Sequence, residues 1–84
     1  MVQVDYQIRN EEGLHARPAY DFCKTAGKFQ SKIEILKNGD IYDAKSILMV
    51  LCVGAVKGET ITIRANGEDE EKAVRALVKT LDAE

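Results

Sequence analysis

The sequence predicts an α+β fold in the order β-α-β-β-α-β-α, with the helices on one side of the sheet. Three observations carry this. Three segments alternate apolar and polar residues with period two, the mark of strands with one dry and one wet face. Two longer segments repeat apolar residues at helical spacing. Asn38-Gly39 stands between two of the strand-like segments, where a tight hairpin turn is expected. Strands wet on one face leave only the other for helices to cover.

In order, residues 2–8 place Val2, Val4, Tyr6 and Ile8 on one face and Gln3, Asp5 and Gln7 on the other. Asn10 to Gly13 reads as a polar turn. A helix opens around Ala16 to Pro18, because proline in a first turn lacks only an N–H that had no partner there. Ala19, Phe22, Cys23 and Ala26 form its apolar stripe, and Gly27 ends it. Residues 31–37 give a strand with Ile33 and Ile35 inward, and residues 40–43 return from the Asn38-Gly39 turn.

Ser46 precedes the apolar run Ile47 to Val53. The run suits either a buried strand or a short helix; Ser46 as an N-cap and the Gly54-Ala55 exit favour the helix. At 100° per residue, Ile47, Leu48 and Leu51 share one side, Met49, Val50 and Val53 lie roughly opposite, and Cys52 falls between. One short helix on a small protein buries one such face, so the other is expected as an exposed apolar patch of the kind that marks partner sites. Residues 59–66 alternate again with Ile61, Ile63 and Ala65 inward. The last helix opens with Glu68 to Glu71, acids suited to a positive helix start. Its stripe is Val74, Leu77, Val78 and Leu81, with Glu68–Lys72 and Glu71–Arg75 expected as surface pairs.

Eighty-four residues (1–84) are read as a single domain with a modest core. With 12 basic and 14 acidic side chains the formal net charge is −2, which gives no support for direct nucleic-acid binding. Residues 1–58 carry 8 basic and 7 acidic side chains against 4 and 7 in residues 59–84, so the tail is the acidic part. Met1 leads straight into a strand pattern, so no signal peptide is expected. The apolar run at 47–56 is too short to span a bilayer, so no membrane insertion is expected. Cys23 and Cys52 are expected as buried or half-buried reduced thiols in a cytoplasmic protein.

The chemistry centres on Gly13-Leu14-His15-Ala16-Arg17-Pro18-Ala19, which holds the only histidine and the only proline. A helix start carries about half a positive charge and free N–H donors, so it attracts anions. That field disfavours imidazolium and leaves His15 a free lone pair, although Glu12 places an acid nearby to oppose it. A neutral imidazole is a nucleophile. A phosphoryl group on it would meet the N–H groups of Ala16 and Arg17 and the Arg17 guanidinium. The plain alternative is a histidine that merely caps the helix on the surface. One histidine and two distant cysteines show no metal-ligand spacing, and no partner for a catalytic triad is visible.

This heptapeptide resembles the phosphorylation-site motif of the HPr family, the histidine-containing phosphocarriers of the bacterial phosphoenolpyruvate:sugar phosphotransferase system. Ala44-Lys45-Ser46-Ile47 and Gly67-Glu68-Asp69-Glu70-Glu71-Lys72-Ala73 resemble the family's second signature and the start of its last helix. The likeness therefore covers essentially the whole chain. It implies an open-faced β-sandwich, a four-stranded antiparallel sheet under three helices. It implies a carrier rather than an enzyme, needing no cofactor, that takes a phosphoryl group from enzyme I on Nδ1 (the pros nitrogen) of His15 and passes it to IIA domains of sugar permeases. Arg17 would steady the phosphoryl oxygens. Tyr20, Ile47, Leu48 and Leu51 would form the shared docking surface, with Lys24, Lys28 and Lys45 steering association or serving only as solvated lysines. In Gram-positive relatives a kinase/phosphorylase modifies the serine matching Ser46, and the product acts with a catabolite-control transcription regulator; elsewhere that serine is only a cap. Met49 and Tyr20 depart from the usual residues at their positions, which bears on partner choice. A monomer is expected. A specialised paralogue with the same His15 chemistry and other partners, and an unrelated α+β binding module, are the competing readings.

Overall fold

The computed structural model describes residues 1–83. Strands β1 (Val2–Gln7), β2 (Lys32–Lys37), β3 (Asp40–Asp43) and β4 (Thr60–Asn66) alternate with helices α1 (Ala16–Ala26), α2 (Ile47–Cys52) and α3 (Glu70–Asp82) in the expected order. The sheet runs β1-β4-β2-β3, every neighbouring pair antiparallel. Val4 faces Ile63, and Ile33 faces Ala65, so inward positions meet across the strands.

One face of the sheet is dry. Ile33, Ile35, Ile61, Ile63 and Ala65 are fully buried beneath Phe22 and Ala26 of α1 and Leu77 of α3. Phe22 is wholly excluded from water, and truncating such a side chain to alanine costs about 3–5 kcal/mol. The other face is wet and held by cross-strand polar pairs. Arg64 donates from Nε and Nη2 to Glu34 Oε1 at 3.1 and 2.7 Å, and Thr62 donates to Asp5 at 2.7 Å. Period-two patterning thus places the helices on one side, as the alternation requires.

The hairpin turn is as the sequence indicates: Asn38 and Gly39 both take positive φ, 50° and 86°, the conformation that asparagine and glycine tolerate best. Differences lie at the edges. β1 ends at Gln7 and β2 begins at Lys32, one residue inside the expected bounds. α3 begins at Glu70, so Glu68 precedes the helix. Neither Glu68–Lys72 nor Glu71–Arg75 forms an ion pair among the described residues. Glu70 instead accepts from Gly67 N–H at 3.1 Å and pairs with the Met1 ammonium at 3.1 Å.

α2 is the helix the run Ile47 to Val53 favoured, but its faces need refinement. Val50 and Val53 are buried and centre the inward arc. Met49 lies about 70° from that centre and is 38% exposed, so it belongs to the solvent side rather than with the two valines. Cys52 lies farther round and is exposed, not half-buried as expected; Cys23 is half-buried. Burial, then the nearby Asp43 charge, push the Cys23 thiol up.

Candidate functional site

His15 is the N-cap residue of α1, with extended backbone and no side-chain bond to its own helix. Its carbonyl accepts from Ala19 N–H at 2.9 Å, which starts the helical ladder. The next two N–H groups, of Ala16 and Arg17, precede any possible intrahelical acceptor. Pro18 completes the first turn, buried and without an N–H to satisfy. No acidic residue lies in that turn. Ala16 and Arg17 are exposed. The His15 side chain is 38% exposed, and its Nε2 lies 3.5 Å from Glu12 Oε1. A half-exposed ring at the N-cap, followed by two open amides and by the exposed Arg17, leaves this helix start accessible to an anionic group.

The turn before His15 is rigid for reasons the sequence does not disclose. Glu12 N–H donates to Asn10 Oδ1 and Gly13 N–H to Asn10 O, both at 2.9 Å. Leu14 is buried, and its N–H donates to Ala55 O at 2.8 Å. Gly13 has φ +71°, and a Cβ there would stand 2.4 Å from Ala55 O. The loop after α2 is therefore the wall behind the histidine. That wall has its own staple. Lys37 Nζ donates to Val53 O and Gly54 O at 3.3 and 3.4 Å and pairs with Glu59 at 3.1 Å. Glu59 accepts from Val56 N–H at 2.9 Å, and this bond, with Lys37, lowers its carboxyl below the usual range. Sequence reasoning missed Lys37, Ala55 and Glu59, since neither spacing nor residue type ties them to position 15.

The expected docking residues sit on α1 and α2, which pack together. Tyr20 is 57% and Leu48 72% exposed, with Ile47 and Leu51 near 36% and 40%. Val56 is a further exposed apolar residue that sequence reasoning left out. Lys24 and Lys28 are exposed at the end of α1. Lys45 is also exposed, but its ammonium donates to Phe29 O at 2.7 Å and so ties the start of α2 to the turn after α1. Ser46 is the N-cap of α2, accepting from Met49 N–H at 3.4 Å. No helix among the described residues is long and apolar enough to cross a membrane.

A small α+β sandwich that presents a lone, half-exposed histidine at an open helix start has the form of a carrier protein. The comparisons give the family. A family model described as "PTS HPr component phosphorylation site" matches residues 2–83. The phosphocarrier protein HPr of Buchnera aphidicola is 44% identical over 77 residues, 92% of this chain and 91% of that protein. The crystal structure of HPr-C-His from Thermoanaerobacter tengcongensis superposes with a TM-score of 0.94 at 41% identity, covering 99% of this chain and 93% of that one. Bacillus subtilis Crh, a catabolite-repression protein crystallised as a domain-swapped dimer, gives 0.78 at 35% identity over 99% and 95% of the two chains. The chain belongs to the HPr family and is a phosphocarrier of the phosphotransferase system.

Proposed function

We propose that His15 is the residue that carries the phosphoryl group. The observation behind this reading is the half-exposed ring at the N-cap of α1, next to the open amides of Ala16 and Arg17. The Nδ1 lone pair attacks the phosphorus of a phosphohistidine on enzyme I. A P–N bond forms to His15 as the P–N bond to the donor histidine breaks. The group then leaves for a histidine on a IIA domain of a sugar permease, so the chain is a covalent intermediate rather than a catalyst. Arg17 and the two amides balance the phosphoryl charge in between. The whole sequence takes place in the cytoplasm, with the chain a monomer.

Both partners dock in turn on Tyr20, Ile47, Leu48 and Leu51, and Lys24 and Lys45 add positive charge at the margin. The decisive experiment is incubation with enzyme I and labelled phosphoenolpyruvate. Wild type takes label that acid removes, and His15→Ala takes none; label retained on His15→Ala rejects the assignment. Leu48→Glu slows transfer to and from the chain with the fold intact by circular dichroism.

Ser46 carries the regulatory reading. Phosphate on its hydroxyl would add about two negative charges at the start of α2, beside the apolar docking residues. The fold tolerates this and enzyme I binding weakens. A purified serine kinase that fails to label the chain would leave Ser46 as the cap of α2 alone.

A further inference from the structure

We propose that Glu12 is a positioning residue for His15: its carboxylate keeps the ring proton on Nε2 and so leaves the lone pair on Nδ1. This rests on His15 being the carrier. Glu12 Oε1 lies 3.5 Å from Nε2, and no other carboxylate comes within ion-pair distance of the ring among the described residues. The preceding acid does not compete, since the Glu11 carboxylate pairs with Lys57. Glu12 is held in place by its backbone, through Asn10 Oδ1, and by the Asn10–Gly13 turn docked on Ala55. On its other side the ring makes no bond to the amides of α1, so Nδ1 is not used up by capping.

The consequence is a proton that never has to move. In a neutral imidazole one nitrogen bears hydrogen and the other the lone pair, and the partner of the first decides which. A carboxylate holding a histidine in one tautomer while stabilising its positive form is a known device of acyl-transfer sites. Here Nδ1 attacks phosphorus, the new P–N bond leaves the ring positive with hydrogen still on Nε2, and Glu12 faces that charge. When the group departs, the P–N electron pair returns to Nδ1 and the ring is neutral again with the same proton. Without an anion at Nε2 the other tautomer competes, and its lone pair lies on the wrong nitrogen.

The test reads the ring directly. Long-range ¹⁵N–¹H spectra of the ¹⁵N-histidine-labelled protein, taken where the ring is neutral, give the ratio of the two tautomers. Wild type favours hydrogen on Nε2. Glu12→Ala reduces that ratio by about two- to fivefold, the range open to an exposed ion pair, and slows phosphoryl transfer from enzyme I by a smaller factor, because the rate follows the population of the reactive tautomer. Glu11→Ala leaves the ratio unchanged. An unaltered ratio in Glu12→Ala, or an equal change in Glu11→Ala, overturns the proposal while labelling of His15 by enzyme I continues. If wild type takes no label at all, the carrier reading fails and this proposal with it.

Discussion

The two long helices begin in opposite ways. At α3 the chain's own anions gather at the positive end, although the Asp69 side chain makes no capping bond to the helix itself. Asp69 accepts from the N–H groups of Gln30 and Ser31 and from the Ser31 hydroxyl, Glu70 accepts from Gly67, and Glu71 adds a third acid. These bonds hold the Asp69 and Glu70 carboxyls below their usual range, the Ser31 hydroxyl acting most strongly on Asp69 and the Gly67 amide on Glu70. At α1 there is no acid in the first turn, and a half-exposed imidazole stands where a capping oxygen would. One helix start is lined with acids, and the other has none in its first turn; on the proposed reading it stays open for a transient anion. A field that stabilises a helix when filled can serve transfer only when left unfilled.

The strongest way to break this contrast is to add one methyl group at each start. Gly13→Ala forces a side chain onto positive φ and against Ala55 O at 2.4 Å and Val56 Cα at 2.9 Å. The backbone strain alone is about 1–3 kcal/mol. A lower Tm and a transfer rate reduced at least ~10-fold are expected. Gly67→Ala would meet Ser31 Oγ at 2.5 Å and Ser31 Cα at 2.6 Å. It should lower Tm as well, yet leave transfer by the folded fraction unchanged. Equal slowing in both variants would erase the distinction.

Arg17→Ala tests the open start without touching the fold. Its side chain is exposed, and among the described residues it makes no ion pair. A hydrogen bond to a charged group contributes about 1.5–3 kcal/mol, so transfer should fall roughly 10- to 100-fold with Tm unchanged.

The acidic start has a pH signature. Asp69 and Glu70, like Glu59, have lowered carboxyl pKa values, so the unfolded chain takes up these protons at a higher pH than the folded one. Their stabilisation is present above the ordinary carboxylate range, about pH 4, and is lost as pH falls through the lowered values. Asp69→Asn should flatten the acid limb of a Tm-versus-pH curve; an unchanged limb would show that this start contributes little.

The smallest effect belongs to the far end of α3. Tyr6 donates to Asp82 at 2.7 Å, and burial first, then that carboxylate, push its phenol up to about 12. The stabilisation is whole below the ordinary phenol value of about 10 and disappears as pH rises through the folded value. Tyr6→Phe should cost about 1 kcal/mol at neutral pH in urea titrations and remove the alkaline slope.

Local patterning made much of this legible. Period two marked β1, β2 and β4, Pro18 marked the start of α1, and Asn38-Gly39 marked the hairpin and with it β3. His15 and Arg17 stood out because a helix start imposes its chemistry on whatever residues occupy it. Met49 was misplaced because a helical wheel gives angles but not the centre of the buried arc, which packing of Val50 and Val53 decides, and Cys52 because apolar neighbours in sequence do not bury a residue that lies off that arc.

The sequence by itself determined which segments are strands and helices and singled out His15 as the candidate carrier, because both depend on residues within a few positions of one another. Only the tertiary structure decided the order β1-β4-β2-β3, the Ala55 carbonyl behind Leu14, the Lys37–Glu59 staple and the tie of the Asp69 carboxylate to Gln30 and Ser31. Those join residues far apart in the chain, most of them with a backbone group that every residue possesses on at least one side, so no local pattern can announce them.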